Sequence, residues 1–285
     1  MTTAAGGGPS GPDGIRGELR RAVQVLGTTD TSGTRPVTSD LSIDEALLLH
    51  SIGWEPVDLV CGVSVVSVPA GVWTWGQGEI TVASSAHELA FRGATARIAE
   101  ECERAGGLGV VGVHVEVEVR PHHVNVDLVG TAVKPVGPAA RSGSGSFVSD
   151  LSARDFTLLH QAGWAPVGLA VGASFVYAPR RSAGAAVTQK SQNIELTNFT
   201  AAMYSAREAA MERMQSTALA LRGQGIVEVK VTEGPMTFAR HAIGFAAWGT
   251  TVRLEAASHQ YAQPKVILPL DDTVVEFEAA SLRGG

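Results

Sequence analysis

Between Gly109 and Val119 the chain reads GVVGVHVEVEV. Val111, Val113, Val115, Val117 and Val119 fall on one side of an extended backbone, and Gly112, His114, Glu116 and Glu118 on the other. This period of two predicts a strand with one buried face. A second strand follows at HHVNVDLVGTAV. A different period precedes both: Phe91, Ala94, Ile98, Cys102 and Ala105 step by three and four, which predicts a long helix with one apolar stripe. Before that helix, VDLVCGVSVVSV is short, apolar and rich in β-branched residues, as a strand is.

The same order returns. SDLSIDEALLLHSIGWEPV at Ser39 becomes SDLSARDFTLLHQAGWAPV at Ser149, 110 positions on. VGLAVGASFVYA then stands for the first strand, and Met203, Ala206, Ala210 and Met214 carry the helical stripe. GIVEVKV and HAIGFAAWGTTV stand for the last two strands. Each copy opens on a short helix. Ser42 and Glu45 form a capping box, with Asp155 in the weaker place of the Glu in the second copy. Gly53 and Gly163 are left-handed stops, and Trp-X-Pro leads out of the helix. His50 and His160 read as partners of the last helical carbonyls.

Each unit is thus helix, strand, helix, strand, strand. A three-stranded sheet with one helix on it leaves a face and two edges open, and buries too little to stand comfortably alone. It should pack against copies of itself, and the duplication supplies one such neighbour covalently. The boundaries expected are a disordered or arm-like start (1–37), a first domain (38–136), a linker (137–147), a second domain (148–254) and a tail (255–285). GELRRAVQVL is a short helix candidate in the first of these. PKVILPL is an added strand or arm in the last.

Composition narrows the function classes. The 285 residues are 45% hydrophobic and 18% charged, which suits a packed core. A net charge of −6 argues against nucleic acid as the main partner. No apolar run reaches the roughly 20 residues of a membrane helix, and the N-terminus lacks a signal-peptide pattern. Cys61 and Cys102 are too few for a disulfide framework and read as small buried residues. A cytoplasmic protein with reduced thiols is expected.

GLGVVGVHVEVEV followed by VDLVGTAVKP resembles the YbjQ-like family, which also carries a heavy-metal-binding label. MYSAREAAMERM is similar to the family's helix, and the SDLS…LLH…GW openings resemble its tandem actinobacterial members. The resemblance spans about residues 39–254. It implies an α+β class of two tandem β-α-β-β domains, similar to dodecin subunits. It also implies self-assembly into rings of five, and no enzymatic activity. A shell that encloses an unknown cargo or protein partner is one extension of that reading.

The metal label rests here on residues. Soft metals need thiolates or imidazoles at close spacing, and the chain has neither CxxC nor HxxxH. The candidates are His114, Glu116 and Glu118 with His122 or His123 across the turn; the competing reading is a solvated or ring-lining polar face. Lys230 and Thr232 stand where His114 and Glu116 do, which spoils the site in the second copy, while His122 and His241 align. Trp73 and Trp75 in VWTWGQGE suggest a stacking platform for a flavin-like ring, against the competing reading of an interface. Neither a nucleophile elbow nor a phosphate loop with its GK[ST] ending occurs, so no catalytic residue and no cofactor are expected.

Overall fold

The computed structural model describes residues 37–69, 71–74, 76–136, 146–178 and 196–256. The candidate helix at GELRRAVQVL, the PKVILPL tail and Trp75 lie outside them. In the first copy α1 (Ile43–Ser51) leads into β1 (Trp54–Ser67), α2 (Thr81–Arg104), β2 (Gly109–Val119) and β3 (His123–Pro135). The second copy opens on a two-residue strand, β4 (Phe147–Val148). It continues through α3 (Ala153–Gln161), β5 (Trp164–Tyr177), α4 (Thr197–Ala220), β6 (Gly225–Met236) and β7 (Ala239–Leu254). The class is α+β, with two sheets.

The local signals act as their chemistry requires. Ser42 caps α1, its hydroxyl accepting from the Glu45 amide while the Glu45 carboxylate accepts from the Ser42 amide. Ser152 accepts from the Asp155 amide at α3. Gly53 (φ 77°) and Gly163 (φ 79°) end these helices in the left-handed region.

The first sheet runs β1-β3-β2-β4, antiparallel but for the β2–β4 pair. The second runs β5-β7-β6, all antiparallel. Each long helix lies on its own sheet. Gly62 lets α2 approach: a Cβ there would stand 2.2 Å from the Ala94 carbonyl oxygen. Its counterpart Gly172 is tighter, at 1.9 Å from the Ala210 carbonyl oxygen. Gly172→Ala therefore forces α4 off its sheet. The expected loss is about 2 kcal/mol of folding stability, read as a lower urea midpoint at unchanged slope.

The two copies stack in four layers: first sheet, α2, second sheet, α4. The largest core cluster joins Ala90, Phe91, Ala94 and Ile98 of α2 to Val60, Val126 and Leu128 of the first sheet. On the other side it reaches Leu169, Val171, Ala173 and Phe175 of β5. A separate cluster fills the far side of the second sheet, where Ala206, Ala210 and Met214 of α4 meet Ala170, Ile243 and Phe245. Strands β5 and β7 of the second sheet are therefore buried on both faces, which is why VGLAVGASFVYA is continuously apolar. β1 alternates because only its inner face is covered.

One expectation is corrected. Val111 does not share a face with Val113. The β2–β3 register shifts between Val111 and His114, with Gly112 at φ 65°. The extra residue of this bulge reverses the phase. Val110 and Val113 enter the main core, while Val111 turns to a small cluster with Leu49, Val133, Ala153 and Phe156 under α1 and α3. β6 carries the same shift between Val227 and Lys230, with Glu228 at φ 52°.

Candidate assembly surfaces

The joint between the two copies is built from three contacts. The first is apolar: α2 covers the second sheet, and the loop before it plugs the margin. Trp73 is buried there, edge-on to Phe175 (5.8 Å) and Phe238 (5.0 Å), its indole N–H donating to the Pro121 carbonyl (3.0 Å). His241 bonds the Trp73 carbonyl at 2.8 Å through Nε2.

The second contact extends the β5 edge. The Ile80 amide donates to the Phe175 carbonyl (2.6 Å) and the Tyr177 amide to the Gly78 carbonyl (2.9 Å). Beside it the Glu79 carboxylate meets Arg213 across both guanidinium nitrogens, at 2.9 Å for Nη2–Oε2. It also accepts from Ser84 (2.7 Å) and Ser174 (3.1 Å). The Arg213 hydrogen bond holds the Glu79 carboxyl below its ordinary pKa, against the opposing effect of burial. Arg213 is 36% and Glu79 24% exposed. Glu79→Gln is expected to lower stability by about 1 kcal/mol at neutral pH, with the difference shrinking as acid protonates the wild-type carboxyl; urea midpoints at two pH values read it.

The third contact is made by the segment that opens the second copy. Phe147 and Val148 pair parallel with Gly109 and Val110. The Ser149 amide donates to the Val110 carbonyl (2.9 Å). The β2 bulge returns two amides: Val113 to the Ser149 carbonyl (3.1 Å) and Gly112 to the Leu151 carbonyl (2.7 Å). The side chains of the same segment hold their own copy. Thr250 donates to Asp150 Oδ1 (2.6 Å), Lys230 Nζ reaches Asp150 Oδ2 (3.1 Å), and Ser149 and Thr250 hydroxyls lie 3.0 Å apart. The Asp150 side chain is wholly covered. Asp150→Ala removes the buried carboxylate that accepts from Thr250 and pairs with Lys230, and is expected to cost about 2 kcal/mol by chemical denaturation. In the first copy Thr131 donates to Asp40 Oδ1 (2.5 Å) in the same way. The recurring Ser-Asp and Gly-Thr motifs thus meet in space, a pairing that motif-by-motif reading missed; their joint recurrence was the signal.

The residues singled out for ligands are dispersed. His114 and Glu116 are exposed on the outward face of β2, opposite Val129 and Asp127. His122 stands in the β2–β3 turn, its carbonyl accepting from the Val68 amide. Among the described residues no three His, Cys, Asp or Glu side chains gather as a metal set. Trp73 presents no open ring face of the kind a stacking platform needs. His50 and His160 stand in the last turns of α1 and α3, and His160 stacks on Phe156 (6.3 Å). Cys102 is buried against the Gly109 carbonyl, as expected, but Cys61 is exposed. That correction has a plain cause: Cys61 points to the uncovered face of β1.

That face is the main finding. Leu59, Cys61, Val63 and Val65 line it, with Val129 on β3. Their counterparts in the second copy, Leu169, Val171, Ala173, Phe175 and Trp248, are all buried under α2. Phe175 is 2% exposed and Val65 63%. The complementary surface is open at the other end of the stack: Ile80 before α2 is 4% exposed, and its counterpart Leu196 before α4 is 41% exposed. Among the described residues the stack is therefore bounded by an open sheet on one side and an open helix on the other.

A Mycobacterium tuberculosis (strain ATCC 25618 / H37Rv) protein named encapsulin nanocompartment protein Rv1762c is 35% identical to this chain over 246 residues. The match covers 82% of the chain and 92% of that protein. The chain belongs to that protein's family. No family model matches it. Among the described residues no helix is long and apolar enough to cross a membrane.

Proposed function

We propose that this chain is a non-enzymatic building block that self-assembles into a closed homo-oligomer, a ring of YbjQ-like domains or a larger shell able to hold cargo. The single observation that carries the reading is the unmatched pair of surfaces. The outward face of the first sheet carries an open apolar strip along β1, Leu59, Cys61, Val63 and Val65 with Val129, while the equivalent positions of β5 and β7 are buried inside the chain. Exposed contiguous apolar surface on this scale marks a binding site, and a second copy of the same chain supplies a helix of the right kind. Kinship with an encapsulin nanocompartment protein supports an assembled state. The YbjQ-like resemblance supports five-fold closure. The dispersed His, Glu and Trp residues give no comparable support to metal or flavin-like ligands.

Electron micrographs of the purified full chain test this. Uniform closed particles with a countable number of subunits are expected. A field of single 29.6 kDa molecules at micromolar concentration would remove the proposal.

A further inference from the structure

We infer that neighbouring chains join by repeating the joint that links the two copies within one chain. The leading segment Val37–Leu41 of one chain lies parallel along the β6 edge of the next, whose α4 covers the first chain's open sheet. This rests on the self-assembly reading and gives it a register.

The edge, the leading segment and the helix-covered face of the inner joint each have a counterpart left without that use among the described residues. β2 is flanked by β4, but β6 ends its sheet among the described residues. The segment Val37–Leu41 matches Phe147–Leu151 and is tied to its own copy by the same Asp40–Thr131 bond. Its backbone joins no strand among the described residues. The inner register carried across pairs Val37 with Gly225 and Thr38 with Ile226. It sends the Ser39 amide to the Ile226 carbonyl, and the Glu228 and Val229 amides to Leu41 and Ser39.

The bulge in β6 is an independent sign. In β2 the bulge turns the Gly112 and Val113 amides outward to receive the second copy's segment. β6 keeps that bulge although the residue at its positive φ is Glu228, for which φ 52° is unfavourable. Among the described residues those outward amides have no strand to receive. An adjoining chain gives the strained turn its purpose.

The other two contacts agree in direction. Leu196 and Val65 are the exposed counterparts of Ile80 and Phe175, which bond in the inner joint. Arg97 grips the Val63 carbonyl (2.7 Å) as Arg213 grips that of Ala173 (2.7 Å), yet it makes no ion pair among the described residues. An open hollow of about 410 Å³ beside α4 is lined by Met203, Tyr204, Arg207 and Glu233 among others. The sheet face placed over it presents Glu116 and Asp127, counterparts of Thr232 and Ala246, which line the equivalent hollow beside α2. One head-to-tail operator thus satisfies an edge and a face together, and repeating it yields a ring or a filament.

Cysteine pairs test the register in the full chain, with Cys61→Ser and Cys102→Ala as background. Thr38→Cys with Ile226→Cys, and separately Leu196→Cys with Val65→Cys, are oxidised and run on non-reducing gels. Neighbouring strand positions lie within disulfide reach. Both pairs are expected to give ladders of linked chains that collapse on reduction, while each single variant runs as one chain. Two pairs guard against one variant failing to fold, which circular dichroism reports. An intact oligomer by light scattering with neither pair linking, or with one linking and the other not, overturns the copied joint but leaves self-assembly standing. A monomer before oxidation overturns both.

Discussion

Val63→Asp with Val65→Asp is expected to leave a folded monomer. Both side chains point away from α2 and are exposed in the folded chain. Within one chain the change should be almost silent, with the far-UV circular dichroism spectrum preserved. Within an assembly each carboxylate would be pressed under a neighbour's helix without a partner, and an unpaired buried charge costs several kcal/mol before relaxation. At about 2 kcal/mol for each site after relaxation, the association constant falls on the order of 1,000-fold. Light scattering on a size-exclusion column reads the result directly. Leu158→Asp, at an exposed position on α3, is the control and should retain the parent mass. An unchanged mass for the double variant would show that this face is not an interface.

The second large effect is acid sensitivity at His87. The ring is fully buried on α2, where it stacks on Phe91 (6.2 Å) and faces Phe175 (6.1 Å). Among the described residues neither ring nitrogen has a hydrogen-bond partner. Burial lowers its pKa to about 4 from the ordinary 6.5. Above pH 6.5 both folded and unfolded chains carry the neutral ring, and His87 contributes no slope. Between 6.5 and 4 the unfolded chain takes up a proton that the folded one refuses. Stability then falls by about 1.4 kcal/mol per pH unit, about 3 kcal/mol in all. His87→Met, the residue found at the matching position Met203, should remove that part of the acid loss. Urea unfolding at pH 7.5 and 4.5 of both proteins isolates it. Equal acid losses would mean the ring is solvated or charged when folded.

The order of elements was legible because duplication repeats it: the serine helix caps, the glycine stops and the helical stripes each occur twice. The double burial of β5 was also written, since no charged residue interrupts the run that Asp58 interrupts in β1. The bulges were less accessible. Gly112 hinted at one, but Glu228 is an ordinary residue for its neighbours and an unfavourable one for its φ, so only the register reveals it. The outward His/Glu face of β2 looked like a site because adjacency in sequence resembles convergence in space. Alternation does put His114 and Glu116 on one side. It does not bring His122 to them, since the turn lies at the strand's far end. Cys61 departs from expectation for a related reason: an apolar strand suggests burial on both faces, and nothing local says that one face lacks a cover among the described residues.

The molar mass of the purified full chain in solution, measured by light scattering at micromolar concentration with no other protein present, bears most directly on the central claim. A single species at an integer multiple of 29.6 kDa, stable on tenfold dilution, is the expected result. A species at 29.6 kDa itself would mean that the open sheet and the open helix meet nothing but water.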